Sequence, residues 1–150
     1  MLADSLLLPQ CVFRPGSFSG LMLLYESNYH KLLELTGRPG AAGSRWISRV
    51  RHDNDLHLEW LDAEPYTSTL RMTYWLRDGR EPATAAPNLA VRIYRDAAQA
   101  EALADDAGIR RSATRSPASV PGRELALRWQ RNMMLNKWLD YLADCGHSFA

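Results

Sequence analysis

The sequence predicts an α+β fold: two layers, with an N-terminal helix and a long C-terminal helix packed on one face of a four-stranded antiparallel sheet. Three observations carry this expectation. Apolar residues recur at helical spacing near both ends of the chain and alternate with polar residues through its middle. The connections between the alternating segments are too short for parallel crossovers. Both apolar helix stripes and the apolar sheet face need cover, and packing them together satisfies all three.

The elements follow in order. Residues 1–16 read as a flexible arm ending in Arg14-Pro15-Gly16, and residues 17–147 as the single α+β domain. Ser17 is an N-cap. Leu21, Leu24, Tyr25, Asn28, Leu32 and Leu35 form one helical stripe, which Gly37 and Pro39 end. Residues 45–51 are the first strand, with Trp46 and Val50 on one face. Residues 56–62 are the second, with Leu56, Leu58 and Trp60 alternating. Residues 67–76 are the third, carrying Leu70, Met72, Tyr74 and Leu76. Arg77 to Ala86 reads as a polar loop before a fourth strand over 88–94. Asp96 looks like the cap of a short helix reaching about Asp105. Residues 105–122, rich in Arg, Ser and Pro, read as a loop. The last helix spans about 123–145, with Leu127, Met134, Leu135, Trp138, Tyr141, Leu142 and Cys145 as its stripe.

Composition sets limits. A chain of 150 residues suits one domain that needs neither metal nor disulfide for stability. The net charge of +1 argues against a generic nucleic-acid coat. That charge is uneven: Arg110, Arg111, Arg115, Arg123, Arg128 and Arg131 face one nearby acid, Glu124. Cys11 and Cys145 have no metal-type spacing, so a reducing cytoplasm is expected. Leu6-Leu7-Leu8-Pro9-Gln10-Cys11 does not make an export signal, because Asp4 stands where a basic residue belongs and Pro9-Gln10 precedes the cysteine. No stretch approaches the roughly 20 apolar residues that span a bilayer.

Four pieces resemble a known family: Leu24-Tyr25-Glu26-Ser27-Asn28-Tyr29 with Leu32 and Leu35; Tyr66-Thr67-Ser68-Thr69-Leu70; Leu89-Ala90-Val91-Arg92-Ile93-Tyr94-Arg95-Asp96-Ala97; and Gln130, Asn132, Leu135, Trp138, Leu139 and Tyr141. Spread in this order over residues 13–147, they resemble the YqiB-like family of small proteobacterial proteins, a domain of unknown function. The resemblance implies a cytosolic bacterial protein and supplies no activity. Relatives encoded beside enzymes that hydrolyse cyclic nucleotides or ADP-ribose give it a nucleotide-related context.

The residues themselves offer several candidate sites. The sheet face opposite Leu89, Val91 and Ile93 is expected to carry Arg49, His57, Glu59, Thr69, Arg71, Thr73, Trp75, Arg92 and Tyr94. Arg71 and Arg92 could hold a phosphate while Tyr94 or Trp75 stacks on a planar ligand or on RNA bases. The plain alternative is a solvated face in which Glu59 pairs with an arginine. Glu26 and Asn28 could line a pocket with Arg92, or Asn28 could be a buried hydrogen-bond anchor. Gln130 and Asn132 point apart, so at most one faces the core, where it could be a polar partner for Asn28. The arginines of 110–131 could dock an acidic protein or an RNA backbone, or simply be solvated. His30, His52, His57 and His147 lack a third converging ligand, so no metal is expected, and no motif calls for another cofactor. No G-x-S-x-G, P-loop or G-x-G-x-x-G appears.

The leading expectation is a non-enzymatic cytosolic binding or regulatory module that recognises an anionic partner: a nucleotide, an RNA phosphate or an acidic protein surface. The alternative is a small enzyme acting on a phosphorylated or nucleotide metabolite, with Glu26 or Glu59 as base and Arg92 holding phosphate. A third reading has Trp75 and Tyr94 covered by another chain. No membrane partner is expected.

Overall fold

The computed structural model describes residues 16–76, 84–104 and 121–150. The element order is α1 (Phe18–Thr36), β1 (Arg45–Ser48), β2 (Leu56–Ala63), β3 (Thr67–Leu76), β4 (Thr84–Tyr94), β5 (Gln99–Ala102) and α2 (Pro121–Cys145). The five strands form one antiparallel meander in chain order. The predicted arm, residues 1–15 of it, and most of the predicted 105–122 loop lie outside the described residues.

Local chemistry explains the first helix. Ser17 Oγ accepts the Gly20 N–H at 3.0 Å and so satisfies one free donor of the first turn. At the other end Gly37 adopts φ 69°, and its N–H reaches Leu33 O at 2.8 Å. The next glycine with a purpose is Gly40, where an added Cβ would lie 2.7 Å from the Trp60 ring. The linker therefore presses its bare backbone against the core.

Alternation sorts the sheet as expected. Leu56, Leu58, Trp60, Leu70, Met72, Tyr74, Leu89, Val91 and Ile93 are buried, and they share one core with Leu32 and Leu35 of α1 and Leu135, Trp138, Leu139 and Leu142 of α2. Two irregularities bend the ladder. One extra residue, Leu61, interrupts β2 between Trp60 and Asp62. A second shift falls opposite Ala86-Pro87 of β4, where proline has no N–H to give the ladder.

The structure corrects the sequence reading in four places. The expected helix after Asp96 is a hairpin instead. Ala98 turns the chain at φ 52°, and Gln99–Ala102 pairs back onto Val91–Tyr94 as a fifth strand. Helix propensity lost to burial here. Ala100 and Ala102 are fully covered, and their small side chains let the helices close onto the sheet. Second, β1 is shorter than expected. Its Trp46 pairs with Leu58 on the core-side face yet remains 57% exposed, because it sits on an edge strand. Third, β4 begins at Thr84, inside the expected loop, of which residues 77–83 are outside the described set. Fourth, Leu127, Met134 and Tyr141 of the expected α2 stripe are exposed. The inward line of α2 runs instead through Asn132, Leu135, Asn136, Leu139 and Leu142.

Polar groups join the two helices where the apolar stripe gives out. Asn28, 0% exposed, donates from Nδ2 to Asn132 Oδ1 at 3.3 Å and accepts from Asn136 Nδ2 at 2.9 Å. Asn136 Nδ2 also reaches Ser27 Oγ at 3.0 Å. Buried Lys31 donates to Asn136 Oδ1 at 2.9 Å and forms an ion pair with Asp140 at 2.8 Å. Asn132 extends the network to the sheet: its Oδ1 accepts the Ala102 N–H at 2.7 Å, and its Nδ2 donates to Arg128 O at 2.8 Å. Each amide thus meets the demands of a buried polar group.

A second polar cluster fastens the segment after α2. His147 bridges Ser48 Oγ at 2.8 Å through Nδ1 and Asp53 at 2.8 Å through Nε2. Tyr74 Oη donates to the same Asp53 carboxylate. One tautomer closes this chain: Nε2–H donates to Asp53, while Nδ1 accepts the Ser48 hydroxyl. The Phe149 N–H then caps Leu35 O at 2.7 Å.

Two outcomes follow from these clusters. Asn132→Ala orphans the Ala102 N–H and leaves Asn28 Nδ2 only the Asn132 backbone carbonyl at 3.4 Å, so urea denaturation should show a loss of about 2 kcal/mol. An unchanged midpoint would show that the network adds nothing to stability. Asp53 governs acid stability. Burial alone would raise its carboxyl, but hydrogen bonds from Tyr74 and His147 outweigh this and hold it below its ordinary value. A depressed folded-state value stabilises the protein above the unfolded carboxylate range, near pH 4 (about 3.9 for a free Asp), and this is lost as pH falls through the folded value. Asp53→Asn should therefore lower the melting temperature at pH 7 and flatten its decline below about pH 4. A slope as steep as the parent's would assign acid unfolding to other groups.

Candidate functional site

The polar face of the sheet carries two separate hollows. Strand register places Ile47, His57, Glu59, Arg71, Thr73 and Asn88 on the face away from the helices. Together with Arg45 and Trp75, these residues line a groove of about 500 Å³. Arg45 pairs with Glu59 at 3.2 Å. Arg71 donates to Asn88 Oδ1 at 3.0 Å, and Thr73 Oγ1 donates to the same oxygen at 3.2 Å. The His57 and Trp75 rings meet edge to face, with centroids 6.3 Å apart.

The second hollow, of about 300 Å³, lies at the β5 edge, where β4 and β5 meet the start of α2. Arg92 enters from β4, Glu101 from β5, and Glu124, Arg128 and Arg131 from α2. Arg92 is half-buried, and its Nε points to Thr69 Oγ1 at 3.5 Å. Arg128 pairs with Glu124 at 3.0 Å. Glu101 accepts the Tyr94 hydroxyl at 2.5 Å. Burial, and then the hydrogen bond to Glu101, raises the Tyr94 hydroxyl. Across the edge, burial pushes Tyr25 up to about 12, with the Glu101 charge adding to the effect. Arg131 Nε–H is buried and has no hydrogen-bond partner among the described residues. Three cations face two carboxylates here, and both carboxylates already have partners.

The expected sites are therefore redistributed. Arg71 lines the groove, whereas Arg92 lines the edge cavity with Arg128 and Arg131. Tyr94 borders neither hollow and spends its hydroxyl on Glu101. Arg123 is exposed on α2 and lines neither, and Arg110, Arg111 and Arg115 lie outside the described residues. Glu26 is exposed, with His30 3.9 Å away. Asn28 is enclosed between the helices. Neither shares a cavity with Arg92. Glu59, bound to Arg45, is in the groove instead. Sequence reasoning missed Glu101 and Asn88. The alternation Gln99-Ala100-Glu101-Ala102 was the signal for Glu101, overridden by its alanine content.

Ser48, His147 and Asp53 contain the residue types of a nucleophile relay. Their setting is that of a fastener. The Ser48 hydroxyl accepts a backbone N–H from Ser148 at 3.4 Å, all three side chains are buried, and Ser48 lines none of the hollows. His147 alone borders a shallow cavity of about 240 Å³, beside Lys31, Glu34 and Asp140. Among the described residues no cluster of three His, Cys, Asp or Glu side chains could hold a metal ion, and no helix is long and apolar enough to cross a membrane.

No curated protein and no solved structure matches the chain. A family model does match, over residues 31–148, taking in the last six residues of α1, the entire sheet, α2 and the His147 fastener. The chain thus belongs to the family described as Protein of unknown function (DUF1249).

Proposed function

We propose that this domain is a non-enzymatic binding or regulatory module that recognises an anionic partner through the cavity at the β5 edge. Arg131 supports the reading best. Its Nε–H is buried at a cavity already holding Arg92 and Arg128, and it lacks an acceptor among the described residues. A buried guanidinium donor is normally satisfied, and an incoming phosphate or carboxylate oxygen would satisfy it. Arg92 and Arg128 would complete a three-sided grip, with Glu101 and Glu124 holding the cavity short of a strongly positive field.

The same proposal includes the finer assignments: a YqiB-like identity, a cytoplasmic setting, and a nucleotide, RNA phosphate or acidic protein surface as partner. The small-enzyme alternative gains nothing from the geometry, since neither Glu26 nor Glu59 shares a cavity with Arg92.

Calorimetric titration with inorganic phosphate and tripolyphosphate tests the reading. Saturable binding is expected, weakening as sodium chloride is raised. Arg131→Gln combined with Arg92→Gln should weaken it about tenfold or more, the loss of charged hydrogen bonds. Arg123→Gln, outside the cavity, should leave it unchanged. Absence of binding to either anion, or equal binding by the double variant, would overturn the proposal.

A further inference from the structure

The groove across β1–β4 is a different environment from the edge cavity. Its volume, about 500 Å³, is in the range of small-molecule sites. Its charges are unequally committed. The Arg45–Glu59 pair neutralises itself at 3.2 Å, whereas Arg71 gives its hydrogen bond to a neutral amide and has no ion-pair partner among the described residues. Asn88 is fixed by what it accepts. Arg71 and Thr73 both donate to Oδ1, which leaves the Nδ2 donor uncommitted among the described residues. Around Asn88 and Arg71 the groove thus presents donors, while its carboxylate, Glu59, is turned to Arg45. Beside them are apolar surfaces unusual on a wet sheet face: Trp75, 38% exposed, and Ile47, 45% exposed. The edge of the His57 ring steadies the Trp75 indole.

We propose that this groove is a binding site for a planar ring with carbonyl acceptors on its edge and one anionic group. The ring would lie against Trp75 and Ile47, its carbonyls would accept from Asn88 Nδ2, and its anionic group would meet Arg71. Each part answers a feature described above. A ring removes exposed indole from water. Carbonyl oxygens match the Asn88 Nδ2 and Arg71 donors, whereas a ring amino group placed there would set donor against donor. The charge supplies the carboxylate or phosphate that a fork-shaped guanidinium binds best. Two sources share this chemistry: nucleotides of uracil or guanine, and heterocyclic carboxylates such as orotate.

Tryptophan fluorescence and calorimetry on the full chain test the site with uridine 5′-monophosphate, guanosine 5′-monophosphate and orotate. Saturable quenching by at least one of them is expected. Adenosine 5′-monophosphate, uncharged uridine and base-free ribose 5-phosphate should each bind about tenfold more weakly than the best of the three. If orotate binds and both nucleotides fail, the source is a free heterocyclic acid, and the reverse names a nucleotide. Arg71→Gln should weaken binding about tenfold, and Trp75→Leu should both weaken it and remove the quench. Arg131→Gln, which alters only the edge cavity, should leave this affinity unchanged, so the two sites succeed or fail separately. Far-ultraviolet circular dichroism of each variant verifies folding. The proposal is overturned if none of the three ligands binds, if ribose 5-phosphate binds as well as they do, or if folded Arg71→Gln and Trp75→Leu bind with parental affinity.

Discussion

The architecture depends on amide contacts between α1 and α2. A helix pair sealed only by leucines can slide with little loss, because apolar contacts are non-directional. Here Asn28, Asn132 and Asn136 exchange hydrogen bonds in pairs, and Lys31 inserts a charge that Asn136 and Asp140 accept. Moving one helix by a turn would strand several buried donors at once, at roughly 1–3 kcal/mol each. The Ala102 N–H, held by Asn132, carries the constraint into β5. The position of α2 against the sheet edge is therefore specified, and with it the distance from Arg128 and Arg131 to Arg92.

The polar sheet face inherits this order. The helices cover one side of the meander, while on the other Glu59, Arg71 and Asn88 reach water over the buried Thr69 and Thr73, as antiparallel sheets commonly allow. That side is not uniform. Toward β5 it meets arginines from a helix packed on the opposite face, and toward β1 it is lined by the sheet's own aromatic and amide groups. One end is thus made by tertiary packing and the other by strand register alone. A change in helix docking would reshape the first and leave the second.

Much of this was legible in the sequence. Period-two alternation located β2 and β3 closely, Ser17 and Gly37 bounded α1, and a polar partner for Asn28 from Gln130 or Asn132 was foreseeable from spacing, though not which of the two. The failures share a cause. The alanines at 97, 98 and 100 favour a helix locally, yet a strand lets Ala100 and Ala102 fill a space only small residues fit, and no local propensity records that space. Leu127, Met134 and Tyr141 look inward by hydropathy, but the inward line of α2 is partly polar and so escaped an apolar template. The edge cavity needed two facts absent from local patterns: that Gln99–Ala102 is a strand, and which side of α2 faces it. Arg92, Arg128 and Arg131 could be named from the sequence but not joined.

The sheet and the helix pair also differ in when they can form. Every strand pairs with its immediate neighbour in the chain, so each hairpin closes locally, without a long loop. Helix α1 has no such neighbour, since the side chains that satisfy Asn28 and Lys31 are 104 to 109 positions away. On a ribosome, which synthesises about 5–20 residues per second, α1 emerges with Asn28 and Lys31 unanswered and waits seconds for α2. During that interval the nascent meander can assemble while its apolar face remains without part of its cover. Helix α2, translated after the sheet, therefore acts as the closing element, converting a preassembled sheet into a sealed domain.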